Sequence, residues 1–333
     1  MKSLRRLPAI ALLGLAAFAG YAAWYVNAAV RMRAVPVEFE IPPGSALRAA
    51  IRHMERAGVE PGRLRFELLA RATLRAGAIK AGNYEISSRT TPLELLDQIT
   101  RGLVTQAEIT FIEGWTFVQL RAALDQSPDL RHDSQGLSDA ALLERIGASE
   151  SHPEGLFFPD TYLFARHSSD LAVLRRAYHA MQRHLAEEWR QRASDLPHKT
   201  PYDALILASI VEKETGRGAD RGEIAGVLVN RLRIGMALQT DPAVIYGLGE
   251  RFDGNLKRVH LTTDGPYNTY TRRGLPPTPI SLPGLAAMRA TLQPARTKAL
   301  YFVSRGDGTT QFSRSLEEHN RAVSKYQLQP RKK

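Results

Sequence analysis

The chain has 333 residues, 44% of them hydrophobic, enough to bury a sizeable core and to form two folded domains. Its net charge is +11, but the Lys and Arg residues are spread along the chain apart from a cluster at Arg331–Lys333. No nucleic-acid motif accompanies them, so nucleic acid is excluded as a partner, and the absence of cysteine excludes thiol chemistry and a disulfide scaffold.

Residues 7–30 carry no charge and are numerous enough to span a bilayer as a helix. Lys2, Arg5 and Arg6 precede the run, and Tyr21, Trp24 and Tyr25 lie near its far end, where aromatic rings favour the membrane interface. The positive-inside bias therefore predicts a cytoplasmic segment at 1–6, a single-pass helix at 7–30 in the inner (cytoplasmic) membrane, and a periplasmic or extracytoplasmic bulk. A signal peptide cleaved near Asn27–Ala29 is the competing reading, and it exports the same bulk. A basic exported protein suits anionic lipid and an acidic wall polymer.

Next, a short strand, a turn and an amphipathic helix recur three times. The strands are Val37–Ile41, Tyr84–Ile86 and Ile109–Ile112; the helices run to about Arg56, through Leu93, Leu96 and Ile99, and through Leu120 and Leu124. Ser45, Thr91 and Thr116 are the expected N-caps. Residues 36–112 thus read as a small α/β substrate-holding module. Residues 113–326 read as a larger, mostly helical domain, with a basic tail at 327–333, so the fold class is α+β. Within the larger domain, 170–196 reads as one long helix, most of it a solvated face. An apolar helix ends near Thr215 and a second spans Glu223–Ile234. Residues 267–283 are too rich in Gly and Pro for either element, and long ordered loops tend to be functional. Strands at Ala299–Val303 and Thr310–Ser313 and a helix from Leu316 to Tyr326 close the chain.

Chemistry is narrowed mainly by elimination. There is no GxSxG elbow, SxxK, HExxH, P-loop or GxGxxG, and the nine His residues are scattered without metal-ligand spacing, so neither metal nor cofactor is expected. Carboxylate chemistry or pure binding remains. Leu207, Ile210 and Val211 define an apolar stripe that Glu214 continues, whereas Glu212 points roughly 200° away. Burial raises a carboxyl pKa, and a carboxylic acid still protonated near neutral pH is what general acid catalysis on a glycosidic oxygen requires. Two solvated acids at a helix terminus are the plainer alternative. Gln239, Asp241, Tyr267, Asn268 and Tyr270 follow, residue types that hydrogen-bond sugar hydroxyls and N-acetyl groups or stack on sugar rings. Asp241 followed by Pro242 also reads as a helix cap, and Tyr267–Asn268 as turn chemistry.

The strings EGLFFPDTY (154–162), VEKETG (211–216), VLVNRLRIGMALQTDPAVIYG (227–247) and YNTYTRRGLPPTPISLPG (267–284) resemble those of the membrane-anchored endolytic murein transglycosylases, YceG-like and MltG type. The resemblance covers about residues 36–325. It implies a LysM-like subdomain ahead of a catalytic domain akin to other lytic transglycosylases, with Glu214 as the single catalytic acid. GMALQ at 235–239 is similar to the GLMQ element of related enzymes, and Tyr267–Asn268 to their AYN element. The implied reaction cleaves between N-acetylmuramic acid and N-acetylglucosamine within nascent peptidoglycan strands, leaves a 1,6-anhydromuramyl end and terminates elongation. The implied partners are peptidoglycan strands, membrane lipid through the N-terminal helix, and a membrane-bound peptidoglycan polymerase or transpeptidase. The resemblance also implies that Gln239, Asp241, Tyr267, Asn268 and Tyr270 bind or position substrate. A hydrolysing muramidase with Asp241 as base, and a non-enzymatic wall-binding scaffold for synthesis enzymes, are the alternatives to be separated from it.

Overall fold

The computed structural model describes residues 6–87 and 89–328, with side chains from Leu12 onward. The first five residues of the expected cytoplasmic segment and the Arg331–Lys333 cluster lie outside the described residues. Helix α1 is Arg6–Asn27, so it stops short of the expected end of the apolar run. Val30 belongs instead to a folded core, 6% exposed. Among the described residues no helix is long and apolar enough to cross a membrane. The side chains of residues 7–11, which open the expected span, are outside that set.

The chain divides into two compact units, one reaching Ala107 and returning for Leu163–Ser168, the other taking Glu108–Tyr162 and the chain from Ser169 onward. The first boundary therefore falls ahead of the expected residue 112, and the third strand–helix pair belongs to the second unit.

In the first unit, β1 (Val37–Ile41) turns Val37, Phe39 and Ile41 inward and Glu38 and Glu40 outward, as strict alternation requires. It pairs antiparallel with β2 (Gly82–Ile86), placing Phe39 opposite Tyr84 with ring centroids 5.5 Å apart. Between the strands lie α2 (Leu47–Arg56), α3 (Arg63–Ala72) and, between these helices, a two-residue strand at Val59–Glu60 that pairs with Arg31–Met32; apart from that short pair the order is strand, helix, helix, strand, and α4 (Pro92–Arg101) follows. Ile51, Met54, Phe66, Leu95, Leu96 and Ile99 are wholly buried among them. Thr91 caps α4 in a reciprocal box with Glu94. Ser45 does not cap α2: Ala46 occupies the cap position without a side-chain bond, and Ser45 sits in the preceding turn with its N–H on the Pro42 carbonyl. Helix α3 has little sequence signal of the usual kind, because Gly62 supplies no capping oxygen and only Leu69 of its three leucines joins Phe66 on the core-facing side.

The second unit is mostly helical. Thr116 caps α5 (Phe117–Gln126) through a box with Gln119, and α6 (Asp139–Ile146) follows. Helix α7 ends at Arg190 (Asp170–Arg190) rather than near 196, and its inner face, Leu171, Val173, Leu174, Ala177, Met181 and Leu185 included, is buried. The expectation of a mainly solvated helix fails because its charges cluster on one side while the apolar residues hold helical spacing.

Helix α8 (Pro201–Glu214) is the centre of this unit. Thr200 and Asp203 form its capping box, Pro201 opens it, and every residue from Ala204 to Val211 is buried. It packs with α9 (Arg221–Arg233), and Leu207, Ile210, Ile224, Leu228 and Ala287 share one core. The chain then forms α10 (Asp241–Leu248), α11 (Arg258–Thr262), the irregular stretch through Pro283, and α12 (Leu285–Leu292), which bears Ala287. An antiparallel hairpin of β3 (Tyr301–Ser304) and β4 (Thr310–Ser313) leads into α13 (Leu316–Val323).

Candidate active site

Helix α8 delivers Glu214 as its last helical residue: Thr215 turns to an extended backbone and returns its hydroxyl to the Val211 carbonyl at 2.6 Å. Glu214 is half-buried, and no hydrogen bond to its carboxyl group is present among the described residues. It opens into a cleft of ≈ 670 Å³ that Arg231, Gln239, Asp241, Tyr270 and His319 also line. Burial pushes its pKa up to about 7, the Asp241 carboxylate adds to the rise, and the Arg231 guanidinium opposes it. The group is therefore divided between acid and carboxylate near neutral pH.

Glu212 has a different fate. Its side chain, 8% exposed, accepts the Gly284 N–H at 3.0 Å and pairs with Arg221 at 3.6 Å. It points away from Glu214 as helical phase requires, but to a buried structural position rather than to solvent.

Gln239 and Asp241 come from the α9–α10 connection. Arg231, 6% exposed on the inner face of α9, donates to the Leu238 carbonyl at 2.7 Å and the Leu300 carbonyl at 2.7 Å, fixing the chain just before Gln239. Gln239 adopts φ +51, a left-handed conformation costly for a residue with a Cβ, and its N–H bonds the Thr269 carbonyl at 3.0 Å. The buried Thr240 N–H donates to Thr269 Oγ1 at 2.9 Å, so residues 239–240 and 269 are zipped together. Asp241 does not cap α10; Thr240 holds the cap position, and Asp241 Oδ1 accepts the Tyr270 hydroxyl at 2.5 Å. Burial and the Asp241 carboxylate keep the Tyr270 phenol well above its ordinary pKa, so it stays a donor.

The structure separates the remaining expected residues from this cleft. Asn268 is 5% exposed and its amide is fully occupied: Nδ2 donates to the carbonyls of His260, Leu261 and Thr263, at 2.6 Å for the last, while Oδ1 accepts the Tyr270 N–H. It organises the loop that presents Tyr270. Tyr267 directs its hydroxyl to Thr278 Oγ1 at 2.8 Å and sets its ring edge-on to Tyr246. Both residues line a neighbouring cavity of ≈ 420 Å³ with His260 and Arg251. Tyr267 and Asn268 are thus not among the residues that line the Glu214 cleft, and the polar atoms named here bond within the protein.

Sequence reasoning missed Arg231, Tyr301 and His319. Arg231 had a signal, since it interrupts the apolar stripe Ile224, Val227, Leu228 at helical spacing. His319 had none: it sits on a polar helix and enters the cleft only because β3 places Tyr301 against it, rings 5.2 Å apart and stacked. Among the described residues no group of three or more His, Asp or Glu could hold a metal ion.

Residues 39–325 match the model of the YceG-like family. The chain belongs to that family. It is 30% identical over 312 residues to the endolytic murein transglycosylase of Bacillus subtilis (strain 168), a similarity covering 87% of this chain and 84% of that protein. It is 27% identical over 320 residues to the endolytic murein transglycosylase of Streptococcus pneumoniae serotype 2, covering 86% of this chain and 57% of that longer relative. A YceG-like protein of Listeria monocytogenes, solved by crystallography at 2.6 Å, superposes with a TM-score of 0.53 at 29% identity over 86% of this chain and 98% of its own.

Proposed function

We propose that this chain is a lytic transglycosylase of peptidoglycan, with Glu214 acting first as general acid and then as base. The observation behind this reading is a half-buried carboxyl group, without a hydrogen bond among the described residues, held near pKa 7 in an open polar cleft. The names of the Bacillus and pneumococcal relatives support the substrate class.

In the proposed reaction, protonated Glu214 gives its proton to the oxygen joining N-acetylmuramic acid to N-acetylglucosamine, and the C1–O bond breaks. The muramyl 6-hydroxyl then closes on C1, and the Glu214 carboxylate takes up its proton. The product is a 1,6-anhydro end, no water is consumed, and the enzyme is restored. An intramolecular nucleophile has a high effective molarity, which lets one carboxyl group replace the usual pair. Asp241, tied to Tyr270, serves as a fixed negative charge beside the cation that develops at C1. Gln239 faces the sugar.

The presence of Asp241 in the same cleft favours one second reading, hydrolysis with Asp241 as base for water. Mass spectrometry of digested peptidoglycan separates the two, since the lytic product lacks one water relative to the hydrolytic one. Anhydro fragments from the parent and none from Glu214→Gln are expected; reducing ends would transfer the role of base to Asp241. Wall binding without cleavage by the parent would leave a scaffold.

We further propose that α1 anchors the chain in the inner membrane with the bulk outside the cytoplasm, and that the first unit is a LysM-like module holding nascent strands near a membrane-bound polymerase. The uncharged run at 7–30 and the strand–helix–helix–strand order of that unit support this placement. Alkaline extraction of membranes, with protease access to the chain from either side, tests it.

A further inference from the structure

Helix α3 turns two of its three leucines outward, while Leu69 packs against the core of the first unit. Leu64 and Leu68, one turn apart, are 76% and 65% exposed, while Phe66 and Ala70 on the same helix are wholly buried. Just beyond the helix, Leu74 is 93% exposed and held at φ +58, a backbone unfavourable for leucine, so the fold presents this side chain outward against its conformational preference.

The surroundings are basic. Between residues 63 and 80 the sequence carries Arg63, Arg65, Arg71, Arg75 and Lys80 against Glu67, while in space Asp97 pairs with Arg75 and Glu55 and Glu60 share a pocket with Arg65. Glu67 is buried and already bound by Arg48 and Arg71, leaving Arg63 and Arg65 beside Leu64 on the exposed surface. Leucines rimmed by arginines are the pattern of a helix lying in the headgroup layer of an anionic bilayer.

Helix α1 fixes where such a bilayer would be. Arg65 donates to the Tyr21 hydroxyl at 3.1 Å and lies over the Tyr25 ring at 5.3 Å, and the Tyr25 hydroxyl donates to the Pro61 carbonyl at 2.7 Å. The first turn of α3 is thereby stapled to the last turns of α1, where Tyr21 and Trp24 remain exposed. Aromatic rings at that end of a spanning helix sit at headgroup depth.

We propose that α3 is a membrane-surface element: Leu64, Leu68 and Leu74 enter the boundary between headgroups and acyl chains, and Arg63 and Arg65 meet lipid phosphates. This rests on α1 crossing the membrane, and it adds a second contact that orients the first unit on the bilayer instead of leaving it tethered.

Because the chain has no cysteine, single-cysteine variants of the full chain report individual sites. Leu64→Cys, Leu68→Cys, Leu15→Cys on α1 and Ser194→Cys in the second unit would each carry a polarity-sensitive nitrobenzoxadiazole label, with circular dichroism confirming the fold. In mixed phosphatidylglycerol–phosphatidylcholine vesicles, labels at 64 and 68 should be severalfold brighter than at 194 and quenched by shallow lipid nitroxides. Pure phosphatidylcholine should reduce this severalfold. Dim, unquenched labels at 64 and 68 with a quenched label at 15 would overturn the surface contact and leave the anchor standing. An unquenched label at 15 would overturn the anchor and this inference with it. Brightness at 64 and 68 that ignores lipid nitroxide but rises with protein concentration would assign the face to a second copy and overturn the lipid contact.

Discussion

Asp241→Asn tests the electrostatic arrangement of the cleft with little change in shape. Glu214 stands at about 7 rather than 4.5, through burial first and the Asp241 charge second. A displacement of that size corresponds to about 3 kcal/mol of preference for the protonated form. At pH 7 it raises the acid fraction from roughly one molecule in 300 to about half. A general acid must be protonated, so activity falls as pH rises through this value. Removing the neighbouring negative charge lowers the Glu214 pKa, and the alkaline limb of kcat/KM should move down by about one pH unit. Activity at pH 8 should then drop roughly tenfold, while activity near pH 5, where Glu214 is protonated in both proteins, should fall less. The loss remaining at pH 5 measures the contribution of the Asp241 charge to the developing cation. The assay is release of anhydro-ended fragments across a pH series, with circular dichroism confirming the fold. An alkaline limb that stays put or moves upward would refute the coupling. Complete loss at every pH, with the fold intact, would instead make Asp241 a reacting group and favour hydrolysis.

The remaining predictions concern stability as well as activity. Glu214→Gln should abolish cleavage yet stabilise the fold in alkali: a carboxyl with a raised folded pKa loses stability as pH climbs from 4.5 through about 7, so the variant should gain up to about 3 kcal/mol over the parent at pH 8 and little at pH 4 in urea titrations. Glu212→Gln should cost about 1–2 kcal/mol through the lost Arg221 pair while leaving the turnover of folded enzyme near the parent's; a collapse of turnover at unchanged stability would move the acid to Glu212. Gln239→Gly should relieve the left-handed backbone by about 1 kcal/mol and still lower kcat/KM at least about tenfold, since conformation and sugar contact are separate roles of one residue. His198 is 5% exposed, neither ring nitrogen has a hydrogen-bond partner among the described residues, and burial pushes its pKa down to about 4. The unfolded chain therefore takes up a proton first as pH falls from 6.5, removing about 3 kcal/mol by pH 4, and His198→Leu should flatten that part of the acid unfolding curve.

How far the site could be read from sequence depended on whether local pattern or long-range packing decides a residue's role. The alternation in Val37–Ile41 and the N-caps at Thr91 and Thr116 are local, and all appear in the fold as expected, the two caps as reciprocal boxes. Ser45 and α3 failed for equally local reasons, a cap displaced by one residue and a helix that gives only Leu69 of its three leucines to the core. Glu214 was found by continuing one apolar stripe, although α8 is buried on every side from Ala204 to Val211, so the stripe alone does not distinguish a core-facing position from any other. What distinguishes Glu214 is that the helix ends there and the connection at 239–241, pinned by Arg231, leaves its carboxyl group uncovered. The same logic divides Tyr267, Asn268 and Tyr270, which look alike in sequence as a run of polar groups. Asn268 turns inward because three carbonyls converge on its amide, and that choice carries Tyr270 outward to Asp241. Asn268→Ala should consequently lower activity and shift its pH profile by releasing Tyr270 from Asp241 rather than by removing a sugar contact, and Tyr270→Phe should reproduce that shift while leaving the loop stable. If Asn268→Ala weakened substrate binding without altering the pH profile or loop stability, the amide would be a direct ligand and the division of roles within 267–270 would be wrong.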